Sequence, residues 1–353
     1  DPKQFDAKVD PDVDMFINHW NNSTPRVMFG DLVFRDVLTS LEGPDKLHPT
    51  RKGAVLVEQN ALSYATLEPG AVASGRPKQG EQHVFYVSGG TAKITVGSKT
   101  FDLREGMGFI LTPEFDFTLT GTGKDQFTCY VLTERLPANF KANRELVVKN
   151  RFDGNKSTGA HWAHIGNGII STADGVANYG GMSLITIDAR TIPHPHSHAD
   201  GIEECWIMVK GDSKLLLGKQ LRDCPAGTIY RIPSTGLTAH TNINLGDEPV
   251  QMIHMMKSVP GETKPYAMLD PAMYDPKTEP DMDLFMGNWR NSMPRLMHGS
   301  LVFRDMLTAL EGPDDLHPTR RGAVLQYAEA ISYATLEPGA VARPQKSGLT
   351  GVQ

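Results

Sequence analysis

Three histidines stand at every second position of IPHPHSHADGIEECW, residues 192–206, and two adjacent glutamates follow them: His194, His196 and His198, then Glu203 and Glu204. On an extended chain alternate side chains share a face, so the three imidazoles project together, and two of them can hold one metal ion. In the next stretch, EECWIMVKG, the same parity puts Glu204, Trp206 and Met208 on one face and Cys205 and Ile207 on the other. A third stretch, GTIYRIPSTGLTAHTNIN, brings His240. Neutral imidazole with carboxylate oxygen is a borderline-hard donor set, suited to a divalent transition metal such as Fe, Mn, Cu, Ni or Zn. A lone strand histidine is more often solvated or packed than a ligand. An HxH pair followed in order by a carboxylate and a later histidine shifts the balance to ligation.

Strands must position these groups, and the chain is rich in them. HVFYVSG, TAKITVG, KTFDLREG, GFILTP and FTCYVLTE follow one another at short intervals, punctuated by Gly, Pro and Asp. MSLITIDA, CWIMVKG, SKLLLG, GTIYRIPS and VQMIHMMK repeat that texture after about residue 180. Such spacing predicts antiparallel sandwiches or barrels. The charged, glycine-bearing stretch PANFKANRELVVKNRFDGNKSTGAHW reads as the linker, with a boundary near residue 150.

A long internal repeat frames this core. The segment from Pro11 to Ala73 returns, mostly unchanged, from Pro280 to Ala342, and DPK opens both copies, at Asp1 and Asp275. In each copy, DVDMFINHW or DMDLFMGNW predicts a short amphipathic helix capped by Asp12 or Asp281. SYATLEPGA predicts a strand running into a Pro-Gly turn. LHPTR, with His48 and His317, occurs in both copies and reads as a structural loop. The expected organisation is an N-terminal arm over 1–30, a first barrel over 31–150, a second over 151–260 and a partial repeat of residues 1–73 over 275–353. That last segment has two readings: extra strands added to a sheet edge, or a partial tandem copy.

Bulk composition narrows the partners. With 353 residues, 39% of them hydrophobic, the chain can fill two cores, and no apolar run reaches the roughly 18 residues a membrane helix needs. A net charge of −6 with interspersed signs leaves no basic stripe for nucleic acid. Cys129, Cys205 and Cys224 form no framework and no CxxC pair, which fits a reducing, cytoplasmic setting. The chain begins at Asp1, so a periplasmic or secreted protein that has lost a signal peptide is the alternative.

With these residues in view, the sequence resembles the cupin superfamily, whose motifs run G(X)5HXH(X)3-4E(X)6G and G(X)5PXG(X)2H(X)3N. Here His196, Ser197 and His198 match HXH, Glu204 precedes Gly211 as required, Gly227 stands before Pro233, and Asn244 follows His240 at the expected distance. Arg190 replaces the first glycine, and Glu203 fits the spacing after His198 better than Glu204, so it is the alternative ligand. The Pro233-to-His240 segment is two residues longer than the pattern. In the first strand set HXH is missing, His83 falls at the glutamate position with Glu81 two before it, and Asp116 or Phe117 takes the place of the second-motif histidine.

The resemblance implies an all-β bicupin: two small antiparallel β-barrels, each a double-stranded β-helix, with short helical terminal arms. The first barrel is expected to be metal-free. One metal per chain is expected in the second, on His196, His198, Glu204 and His240. His194 and His254 are expected to transfer protons, although a packed histidine is the plainer reading of His254. Tyr230 and Arg231 are placed to meet a carboxylate or sugar oxygen. The leading functional expectation is a metal-dependent enzyme cleaving a small oxygenated metabolite in the manner of a dioxygenase. The alternatives are a nonredox Mn or Zn lyase, isomerase or aminohydrolase of sugar-acid or ureido catabolism, and a non-catalytic small-molecule-binding protein. A homo-oligomer is expected, with neither nucleic acid nor membrane as partner.

Overall fold

The computed structural model describes residues 12–41, 53–154, 156–158, 164–193, 195–198, 201–234, 238–258, 285–289, 292, 294–309 and 322–343. They divide into two units, Asp1–Leu269 and Asp270–Gln353. Strands dominate both, and the described helical elements are single 3-10 turns such as Val13–Met15 and Trp20–Asn22. No helix among the described residues is long and apolar enough to cross a membrane.

The larger unit holds two barrel-like layers of sheet. In the first, Glu81–Gly89 lies between Met107–Leu111 and Phe127–Arg135, and Phe127–Arg135 pairs with Ala61–Leu67, which pairs with Leu32–Ser40. A smaller sheet of Val72–Gly75, Phe117–Gly121, Thr91–Val96 and Lys99–Arg104 closes the opposite wall. Phe34, Phe85, Phe109 and Leu119 fill the space between. The second barrel repeats the plan. Ile202–Lys210 lies between Thr228–Ile232 and Val250–Ser258, Val250–Ser258 pairs with Gly181–Ile187, and Ser213–Leu217, Gln220–Cys224 and His240–Ile243 form the smaller wall. Its core contains Trp206, Met208, Leu215 and Tyr230.

A third apolar cluster joins the two large sheets through Tyr86, Ile110 and Tyr130 on one side and Ile207, Ile229 and Met255 on the other. The central strands are therefore buried on both faces. This accounts for near-continuous apolar runs such as HVFYV and CWIMV, where a one-sided strand would alternate.

The chain also crosses between the barrels. Ile17–His19 pairs with Thr228–Ile232 of the second barrel, while Pro25–Met28, a few residues on, pairs with Leu32–Ser40 of the first. The helix expected over DVDMFINHW is reduced to the Val13–Met15 turn, with Asp12 capping it by accepting from the Asp14 N–H at 3.2 Å. A helix this short is marginal alone, and a backbone ladder with Thr228–Ile232 competes successfully for the following residues. Asp281, its expected counterpart, lies outside the described residues. The expected linker is also more ordered: Val147–Asn150 extends the first barrel's large sheet and Lys156–Thr158 the second's.

Among the described residues all strand pairings are antiparallel except two short ones, Ala54–Leu56 on Leu32–Ser40 and Ala323–Leu325 on Leu301–Ala309. These are repeat copies of each other. The smaller unit reproduces the opening of the larger, strand for strand: Pro294–Met297, Leu301–Ala309, Ala323–Leu325 and Ala330–Thr335. Even its polar anchor recurs. Arg26 reaches buried Asp36, which also accepts from Ser63, and Arg295, Asp305 and Ser332 make the same contacts. On the outer face the copies differ, because Leu62 is fully buried whereas the matching Ile331 is 50% exposed.

Candidate metal centre

The HXH segment is held by the small wall of the second barrel and not by a strand of its own. His196 and His240 exchange backbone hydrogen bonds of 2.8 and 3.3 Å, and the Thr241 hydroxyl donates to the Pro193 carbonyl at 2.9 Å. Alternation then sets His196 and His198 beside His240, with ring centroids 4.9 Å apart for the first pair and 4.2 Å for His196 and His240. The central strand of the large sheet supplies Glu204 from across the barrel. Nε2 of His198 lies 2.5 Å and Nε2 of His240 3.2 Å from Glu204 Oε2.

Ligand atoms of His196, His198, Glu204 and His240 all lie within 4.8 Å of one another, and all four residues are buried. The donors' protonation fits a cation. Burial holds His240 below the ordinary histidine value, which favours the neutral imidazole. Burial alone would raise the Glu204 carboxyl, but its electrostatic interaction with the His240 ring and its close contacts with His198, His240 and His254 outweigh it and keep the group well below the usual carboxylate range. An ionised carboxylate beside the neutral His240 imidazole, shielded from water, suits a divalent cation.

Parity separates the two glutamates. Glu203 points to the opposite face of the strand, into the joint between the barrels. There it accepts from the Val57 N–H at 2.6 Å and the Tyr179 hydroxyl at 2.9 Å, and it lies 3.3 Å from Arg231. Arg231, expected near a substrate oxygen, is thus part of this joint. Tyr230 is also placed away from open space: it is fully buried in the barrel core and its hydroxyl donates to Asn242 Oδ1. Burial drives that phenol well above its ordinary range, so it holds its proton.

His254 does join the centre. Its Nε2 lies 2.9 Å from Glu204 Oε1, and since Glu204 is ionised the imidazole N–H donates. The ring packs 4.6 Å from Trp206. His254 borders a cavity of about 210 Å³ together with His198, Glu204 and Trp206, and it also borders an adjoining cavity of about 430 Å³. His194, His48 and His317 lie outside the described residues.

Sequence reasoning passed over His164. It follows the segment read as linker, yet the His164–Ser171 strand carries it to the smaller cavity, where its ring meets Trp206 edge-on at 5.6 Å. Trp206, read as wall packing, does pack in the core, but it lines the same cavity and its indole N–H makes no hydrogen bond among the described residues. The only sequence signal for His164 was its place at the head of an apolar strand.

The first barrel can be overlaid strand by strand. The Gly106 N–H donates to the Val87 carbonyl and the Gly227 N–H to that of Met208, so His83 stands where Glu204 does. Strand pairing likewise sets Phe117 against Gly75 where His240 meets His196. Of the two residues proposed for that place, Phe117 takes the histidine position. Asp116 is exposed and paired with Arg76 at 2.7 Å. The residue matching Glu204 is thus the one titratable group left among these positions.

No family model matches the sequence, and no curated protein matches it. Solved structures do match in fold. A structure of Bacillus subtilis oxalate decarboxylase, described through its Mn(II) centres, aligns over 72% of this chain and 79% of its own, with 14% identity and a TM-score of 0.51. A glyoxylate-induced protein from Pseudomonas aeruginosa aligns over 70% and 87%, with 11% identity and a TM-score of 0.52. The protein Ylba from E. coli aligns over 70% and 92%, with 14% identity and a TM-score of 0.51.

Proposed function

We propose that this chain, which has the bicupin fold, is a metal-dependent enzyme whose second barrel acts on a small oxygenated metabolite by metal-assisted proton transfer, as a lyase or isomerase does. The observation that carries this reading is the place of His254, in contact with Glu204 and on the cavity wall at once. The three histidines and Glu204 would hold one divalent ion. That ion would supply Lewis acidity toward an oxygen pair of the substrate. The Mn(II) centres named for the oxalate decarboxylase of like fold support manganese as the first ion to test.

The remaining work falls to side chains. His254 donates a hydrogen bond from its Nε2–H to Glu204, which leaves Nδ1 as the nitrogen to take a substrate proton. The Trp206 indole N–H, without a partner among the described residues, offers a hydrogen bond to a substrate oxygen. Ile185 and Met256 make the wall beside them apolar and limit water. Among the described lining residues there is no lysine or arginine, which favours a substrate anchored by chelation and neutral donors.

Elemental analysis of protein purified without added metal tests the reading, with a His196→Ala, His198→Ala double variant as control. Near-stoichiometric Mn or Zn in the parent alone, and turnover without oxygen uptake, is the expected result. Iron or copper with oxygen consumed in step with substrate would move the assignment to a dioxygenase. A metal that cannot be exchanged and no turnover of any hydroxy or oxo acid would leave a binding protein. No metal in either form would remove the enzyme reading.

A further inference from the structure

The first barrel has lost the metal donors yet keeps a cavity of about 450 Å³ at the corresponding place. His83 lines it, and is only 1% exposed. One ring nitrogen, Nδ1, lies 3.1 Å from the Thr133 hydroxyl, but Nε2 has no hydrogen-bond partner among the described residues. Buried polar atoms are nearly always satisfied, so an unpartnered one on a cavity wall marks where a ligand atom belongs. Burial, aided by Arg26, pushes this imidazole down to about 4, so it is neutral near pH 7 and its Nε2 can meet an uncharged polar atom.

Charge is distributed unevenly around this space. Its two acidic neighbours are occupied: Asp36 by Arg26 and Ser63, and Glu81 by the Asn60 amide at 2.7 Å. Of the three cations, Arg26 is committed to buried Asp36, Arg76 makes only a water-exposed pair with Asp116 that a ligand carboxylate can replace, and Lys78 has no carboxylate within 4.0 Å among the described residues. Phe29 and Met28 add an apolar wall. Phe29 holds a positive φ of 55°, a conformation that costs a non-glycine residue energy, and its ring packs edge-on against His83 at 5.7 Å and Phe117 at 5.1 Å. These rings occupy the ground that histidines hold in the second barrel.

We propose that the first barrel is a binding site for a small organic carboxylate, its acid group at Lys78 and Arg76 and a polar atom of its body at His83 Nε2. Its donor-type residues, His83, Asp36 and Glu81, do not gather their ligand atoms as those of the second barrel do, and the site is assigned binding alone. It is independent of the second-barrel assignment.

Titration of the full chain with 4-hydroxybenzoate, whose hydroxyl is the polar atom for His83 Nε2, followed by saturation-transfer NMR and calorimetry, tests this, with methyl 4-hydroxybenzoate as the uncharged control. Saturable 4-hydroxybenzoate binding is expected in the parent and in the His196→Ala, His198→Ala variant. A Lys78→Ala, Arg76→Ala variant, altered only at exposed residues, should bind roughly tenfold more weakly. His83→Phe should abolish binding, and its melting curve establishes whether it folds. The proposal is overturned by absence of saturable binding into the tens of millimolar range, by equal binding of methyl 4-hydroxybenzoate, or by binding that survives the Lys78 and Arg76 changes but not the loss of the second-barrel histidines.

Discussion

Glu203 and Glu204 are neighbours in sequence and face opposite sides of one strand, the first into the joint between the barrels and the second into the candidate metal centre with His196, His198 and His240. The two charges therefore serve different ends. Glu204→Gln is expected to lose most bound metal while the apo protein melts near the parent. Glu203→Gln is expected to keep the metal but lose about 2–4 kcal/mol of stability, because the Val57 amide and Arg231 lose a buried ionic partner. Metal content and urea melts of the two variants, side by side, decide it. Reversed results would make Glu203 the ligand.

His254 orients Glu204 through a single N–H, so its loss should be felt at the ion. His254→Phe is expected to weaken metal binding by roughly tenfold to a hundredfold, the usual effect of removing a partner behind a ligand. His254→Gln retains an N–H and should recover much of that loss. Competition against a chromophoric chelator measures both, and identical affinities in all three proteins would free His254 from this role.

The first barrel carries a pH signature. His83 titrates at about 4 in the folded chain against 6.5 when unperturbed, so between these values the unfolded chain binds the extra proton. Its contribution is complete above pH 6.5 and is lost as pH falls toward 4, by roughly 3 kcal/mol in all. The stability difference between the parent and His83→Phe should therefore shrink or reverse on that descent, measured in buffers free of organic acids. A difference that stays constant from pH 7 to about 4 would contradict the burial of an uncharged imidazole.

Added strands from the C-terminal repeat would bury its apolar outer residues. In the smaller unit Ile331 and Leu336 are 50% and 44% exposed, whereas their first-copy equivalents Leu62 and Leu67 are buried. Removing residues from Asp275 onward is expected to lower the oligomer mass by light scattering and the melting temperature with it. Unchanged values would leave the segment as a tandem copy with no docking role.

Much of this could be seen in the residues. HXH, the downstream glutamate and His240 are legible as a group because strand parity puts their side chains on one face, and the fold does bring the four together. The choice between Glu203 and Glu204 was harder: one residue of slip exchanges the two faces of a strand, and Glu203 had the better spacing. His164 was invisible because only the pairing of Gly181–Ile187 with His164–Ser171 brings it near Trp206. The helix over DVDMFINHW was misread because its apolar spacing also suits a strand once a distant partner exists. Tyr230 and Arg231 looked functional by their place before Pro233, but one lies inside the packed barrel and the other in the joint.

The crossing of Ile17–His19 into the second barrel has a topological result. Cutting the chain between the barrels would not yield two independent halves, since the amino-terminal piece would carry off the outer strand of its neighbour and leave Thr228–Ile232 with a bare edge. The joint is reciprocal as well: Glu134 of the first barrel accepts from the Ala177 and Asn178 amides, much as Glu203 of the second accepts from Val57. A nick near residue 155 would thus leave two fragments clasped by each other's backbone. Shuffling the second barrel alone onto another protein would have to bring those opening residues with it.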